Sequence, residues 1–192
     1  MKKLPNPPIL GDDTNELAII AARYCQLPHP DTAAQFSGAV FPSIRDQKNR
    51  HTLDREKGLL LDSNRTPRWA LFWSHGIKFV SHPKGWTIAH IWTCPKDPNA
   101  YTHLANLVLM PECFGSLSDK GGPLSGLLEY HSFSVYGWTP KDFQKPLKPD
   151  GFDDVKWQYF DPIENAKSFE HNRVLSLNNQ NVKILRPLMG LG

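Results

Sequence analysis

Apolar and polar positions change rhythm twice along this chain. In "DDTNELAIIAARYCQLP", Leu17, Ile20, Ala21 and Tyr24 recur at helical spacing, which predicts a helix. Asp13 or Thr14 can cap it, Glu16 stands in its first turn, and Pro28 and Pro30 bar its continuation. Ahead of it, residues 1–13 read as an extended lead-in. From Asp31 to Arg68 no apolar period is sustained, and the charged run "RDQKNRHTLDREK" (Arg45 to Lys57) reads as a solvated loop or hairpin face. From Trp69 the texture becomes aromatic and β-branched. "WALFW" (69–73), "IKFV" (77–80) and "WTIAHIW" (86–92), separated by "SHG" and "SHPKG", predict strands of a small antiparallel sheet. "LANLVLMP" (104–111) predicts a further strand, and "ECFGSLSDKGG" one or two helical turns. A helix follows over 123–138, with Leu127, Leu128, Phe133 and Val135 on its apolar face and Gly137 as its stop. Another is predicted over 161–177, with Asp161 as cap and Pro162 at its first position. The tail "NVKILRPLMGLG" reads as a strand. The elements together predict an α+β fold, a small antiparallel sheet with flanking helices.

Composition narrows this picture. A chain of 192 residues is long enough to bury one core, and a single domain is expected. No apolar run approaches the ~20 residues that span a bilayer. The first residues meet proline and acid before any apolar stretch, so a cytoplasmic protein without membrane partners is expected. Seventeen prolines predict short elements joined by rigid loops. The net charge of +3 is compatible with a phosphate-bearing partner without arguing for one. Cys25, Cys94 and Cys113 form no C-x-x-C pair, which excludes a zinc knuckle or disulfide framework and leaves buried free thiols as the expectation. No Gly-rich phosphate loop, G-x-S-x-G elbow or dinucleotide fingerprint is present.

The chemistry concentrates between residues 86 and 120. His90 is a lone imidazole in an aromatic strand, Asn106 stands before an apolar run sixteen residues later, and Asp119 follows thirteen residues after that. Taken singly, each has an ordinary structural explanation: a hydrogen-bonded core histidine, a turn amide, a helix-end acid. Their order resembles the ββα-metal finger of HNH-type nucleases, in a variant without zinc-binding cysteines. The resemblance rests on "AHIW", "ANLVLMP" and "CFGSLSDK", about 35 residues in all.

The resemblance implies an HNH-like endonuclease that hydrolyses DNA phosphodiester bonds with one divalent metal ion, Mg²⁺ or Mn²⁺. His90 would be the general base and a neighbour of the metal, Asn106 the buttress of the intervening loop, and Asp119 a metal ligand, with Ser116 and Ser118 as substitutes. The residue types suit the task. An imidazole with an ordinary pKa near 6.5 accepts a proton at neutral pH. A single carboxylate suits Mg²⁺, which keeps much of its water. An asparagine amide both donates and accepts, so it can tie a loop. Arg65, Arg68, Lys120 and His103 are candidate nucleic-acid contacts, and the basic 45–57 segment could help position the strand. His75 and His82 read as turn polarity, and His131 as ordinary polar surface. The chain departs from the family pattern at Ala89, where many members carry a carboxylate. That departure suits an alternative, a non-catalytic nucleic-acid- or protein-binding module on a degenerate finger.

Overall fold

The computed structural model describes residues 13–78, 83–118 and 121–191. Among these the strands are β1 (Gln26–Leu27), β2 (Ser43–Arg45), β3 (Thr52–Asp54), β4 (Leu59–Asp62), β5 (Trp86–His90), β6 (Leu107–Pro111) and β7 (Gln158–Tyr159). The helices are α1 (Asp13–Ala22), α2 (Pro30–Ala33), α3 (Thr66–Trp73), α4 (Pro123–Tyr136), α5 (Ala166–Ser176) and α6 (Gln180–Leu188). Short 3₁₀ turns occupy Leu104–Asn106, Glu112–Leu117 and Phe152–Asp154. The strands form two small sheets. One runs β5-β6-β1-β7, antiparallel except for the β1–β7 pair; the other runs β2-β4-β3, with β2 and β4 parallel. The fold is therefore α+β, with mixed sheets where purely antiparallel pairing was expected.

The first sheet divides the apolar interior in two. Along β6, Leu107 and Leu109 enter a core built with Phe41, Leu60, Trp73, Val174 and Leu185. Val108 and Met110 enter another, with Ala21, Ala22, Ile91, Trp92 and Leu128. Alternate side chains of a strand point to opposite faces, so a strand covered on both sides must be apolar throughout, as "LVLM" is. α1 and α4 cover one face; α3, α5 and α6 join the second sheet over the other.

Several segments differ from the sequence reading. "WALFW" is helical and lies in α3. Thr66 donates its backbone N–H and its hydroxyl to Asp62 Oδ2 (2.8 and 2.9 Å), which starts the helix, and Pro67 fits its first turn. All five residues are buried, and a short apolar run enclosed on every side carries no period that separates strand from helix. The tail forms α6 instead of a strand. Asn179 caps it through Asn181 N–H (3.0 Å), and Val182 and Leu185 face the core at helical spacing. Ile77 and Lys78 are not in a strand; 79–82, with His82, and residues 1–12 lie outside the described residues. α5 begins at Ala166, after the expected cap at Asp161. In α1 the buried face is Ala18, Ala21 and Ala22, while Ile20 and Tyr24 are exposed, because close contact with α4 favours the small residues. Of the thiols only Cys25 is buried, its pKa pushed up to about 12 by desolvation; Cys94 is half-buried and Cys113 exposed.

Candidate active site at the end of a hairpin

β5 and β6 form an antiparallel hairpin in which His90, the last residue of β5, faces Leu107, the first of β6. The loop 91–105 joins them, and the 3₁₀ turn Glu112–Leu117 follows β6 directly. Asn106 fastens this loop from a fully buried position. Its Oδ1 accepts from Trp92 N–H (2.7 Å), its Nδ2 donates to the carbonyl of Ala100 (2.9 Å), and its own carbonyl accepts from Ile91 N–H (2.9 Å). One amide thus holds both arms of the loop. Neither a carboxylate nor an apolar side chain can both donate and accept there.

His90 is half-buried, with its ring stacked on Tyr101 (centroids 5.2 Å apart, planes 12° from parallel). Its Nε2 lies 2.9 Å from the Tyr101 carbonyl. A carbonyl only accepts, so Nε2 carries the proton and Nδ1 keeps its lone pair. Nδ1 has no hydrogen-bond partner among the described residues and keeps contact with solvent. Burial holds the His90 pKa below its ordinary value, the Tyr101 carbonyl raises it in part, and the nearby Arg45 charge lowers it further. At neutral pH the ring is an uncharged base.

Tyr101 is anchored in turn by the second sheet. Its hydroxyl accepts from Asn64 N–H (3.0 Å) and can donate to Asn64 Oδ1 (3.0 Å) or Asp62 Oδ2 (3.3 Å). Asn64 takes a left-handed backbone (φ 68°), a conformation asparagine tolerates. Asp62 is fully buried, and its Oδ2 also receives both Thr66 donors. Burial and the Asp62 charge raise the Tyr101 pKa, so the phenol stays protonated. Arg45, exposed at the end of β2, fastens its backbone N–H to the Pro95 carbonyl (2.7 Å), joining the loop to the second sheet. Sequence reasoning missed Tyr101 and Arg45 beside His90, and Asp62 and Asn64 as the anchors of Tyr101. "PNAYTH" and "LDSN" carry no periodic signal, and only the docking of the two sheets brings them together.

The other expected site residues fall in different places. Asp119 and Lys120 lie outside the described residues, so the metal ligand and one phosphate contact have no described position. Arg65 is exposed at the N-cap of α3, immediately after Asn64, and Arg68 is half-buried one turn on; they open a helix where they were expected to precede a strand. His103 is engaged elsewhere. Its Nδ1 accepts from Ala105 N–H (3.2 Å), its ring stacks on Trp138 at 4.3 Å, and burial pushes its pKa down to about 4. His75 is a buried structural group: Nδ1 faces the Leu71 carbonyl (2.7 Å) and Nε2 accepts from His29 N–H (3.1 Å). His131 is also buried, bonded to the Tyr159 hydroxyl (2.8 Å). Among the described residues no three of His, Cys, Asp and Glu gather as a metal cage. A hydrated Mg²⁺ asks less of a protein, one or two carboxylates beside its own waters.

Comparison with protein-family models, with curated proteins and with solved structures returned no match to this chain.

Proposed function

We propose that this chain is a metal-dependent endonuclease of HNH-like design that hydrolyses DNA phosphodiester bonds. The observation that carries the reading is His90, held with Nε2–H on a backbone carbonyl and Nδ1 left as a free acceptor, at the end of a hairpin whose loop is braced by Asn106. In this reading His90 Nδ1 takes the proton of the attacking water. The Tyr101 carbonyl stabilises the imidazolium that forms, by accepting a hydrogen bond from its opposite nitrogen. Stacking on Tyr101 fixes the ring plane, so little reorganisation is needed when the proton moves. Arg45, whose charge already acts on His90, offers a cation to the phosphate, and Arg65 and Arg68 extend the positive edge. A divalent ion supplies Lewis acidity toward the phosphoryl oxygen and the leaving group. Asp119 is the residue proposed to hold it. Ala89 removes the carboxylate that many such fingers carry there, which places more of the metal binding on Asp119.

A plasmid-nicking assay with Mg²⁺ or Mn²⁺, wild type beside His90→Ala, tests this. Metal-dependent nicking by the wild type and at least a hundredfold loss in the variant are expected. The pH profile should show an acid limb with a midpoint below 6.5, because His90 must be neutral to act and its pKa is depressed. Equal behaviour of the two proteins would refute the assignment. Salt-dependent DNA binding without cleavage would favour the degenerate-finger module instead.

A further inference from the structure

A second feature of the molecule has no role in that chemistry. A cleft of about 580 Å³ opens between the segment 36–42, the turn before β4 and helix α5, with Pro98 and Asn99 of the 91–105 loop on its edge. Its volume falls in the range of sites for small organic ligands, far above what a bare inorganic anion fills. Phe36, Val40, Leu59 and Met189 give it an apolar wall. Lys57 and Lys167, both exposed, stand in its lining, and His171 lies beside them. Lys57 has only a loose ion pair with Asp54 (3.9 Å), and Lys167 makes no salt bridge among the described residues.

Glu170, also in the lining, is the unusual member. It is 1% exposed, and neither carboxyl oxygen has a hydrogen-bond partner among the described residues. The nearest basic group, His171 Nε2, is 3.6 Å from Oε2, too far for a hydrogen bond. A buried polar group without a partner is costly, and such a group in the wall of a cleft is explained most simply by a ligand that completes it. Burial raises its pKa to about 8 and Lys167 offsets this in part, so near neutrality it is mainly a carboxylic acid, with one donor and one acceptor side by side.

We propose that this cleft binds a mononucleotide, its base against the apolar wall with an amino-bearing edge on Glu170, and its phosphate between Lys57 and Lys167. The three kinds of group argue for this ligand together. An aliphatic anion would satisfy the lysines and the wall but leave Glu170 unpaired. A neutral acid matches a ring nitrogen beside an amino group, which adenine and cytosine present. The Glu170 carboxyl is covered in the free protein, so lining side chains must shift for the base to reach it. The proposal is independent of the nuclease reading, and its readout is binding, not cleavage.

Calorimetric titration of the full chain with AMP, CMP, adenosine and inorganic phosphate tests it. AMP and CMP are expected to bind at least tenfold more tightly than adenosine or phosphate. Glu170→Leu removes an unpartnered buried acid, so it should fold at least as well as wild type, with an unchanged or raised Tm, yet lose tenfold or more in AMP affinity. The double variant Lys57→Ala/Lys167→Ala should bring AMP down to the affinity of adenosine. AMP binding no tighter than phosphate, or unchanged in Glu170→Leu, would overturn the proposal.

Discussion

At the scale of single residues, two side chains in one hairpin have different tasks. Asn106 is a fastener whose three hydrogen bonds are buried, and His90 is a half-buried ring with one free nitrogen. Their substitutions should therefore separate stability from activity. Asn106→Leu leaves Trp92 N–H and the Ala100 carbonyl without partners; at about 1–3 kcal/mol for each orphaned group, the expected cost is roughly 2–6 kcal/mol. His90→Ala should cost distinctly less while abolishing any nicking. Urea unfolding of both variants beside the nicking assay checks this, and comparable stability losses would show that His90 is mainly structural. Asn106 was recognisable in the sequence through its order after His90 and before an apolar run, since a turn amide alone is ordinary. Tyr101 was not, since a tyrosine in a polar loop signals nothing until its ring is seen against His90.

At the scale of elements, the sequence located most segments but took α3 and α6 for strands and misplaced the start of α5. α4 stops at Gly137 in a left-handed conformation, and α6 starts at Asn179; each of these signals is local. α5 is different. Its first N–H, on Ala166, is capped by Gln35 Oε1 (2.8 Å), while Gln35 Nε2 donates to the Ile163 carbonyl (2.7 Å). The cap comes from a residue far away in sequence, so the local signal at Asp161 and Pro162 lost to a tertiary one. Gln35→Ala should destabilise the protein by about 1–2 kcal/mol. Hydrogen exchange should show the amides at the start of α5 losing protection before those of β6. Unchanged protection at Ala166 would mean that the contact carries no weight.

At the scale of the whole molecule, buried imidazoles set the response to acid. His75, His103 and His131 have pKa values pushed down to about 4 by burial, against about 6.5 in an unfolded chain. Between those limits the unfolded chain binds protons that the native state refuses. Their contribution is full above pH 6.5 and is lost as pH falls toward 4, on the order of 2–3 kcal/mol for each of the fully enclosed His75 and His131. Glu170 acts in the opposite direction, its share being full below about pH 4.5 and lost as pH rises toward 8. His90 and His171 are also held below their ordinary values and Glu129 above its own, so the depressed imidazoles outnumber the raised acids and acid is the weaker side. Urea midpoints should fall steeply from pH 6.5 to 4.5, and His75→Asn or His131→Asn should flatten that slope. A midpoint independent of pH across this range would contradict the burial of these rings as neutral groups.

By itself the sequence determined the α+β class, a strand within 86–92 and another within 104–111, a helix within 123–138, and the pair His90 and Asn106 as the residues to watch. These rest on local causes: side-chain alternation, capping chemistry, a glycine able to turn left-handed. Only the tertiary structure decided that "WALFW" is a helix, that the tail is another, that α5 is capped from a distance, and that Tyr101, itself anchored by Asp62 and Asn64, lies against His90 with the Arg45 charge near by. The reason is common to all four. A fully enclosed apolar run carries no period, and a contact between distant segments leaves no mark on either until the core brings them together.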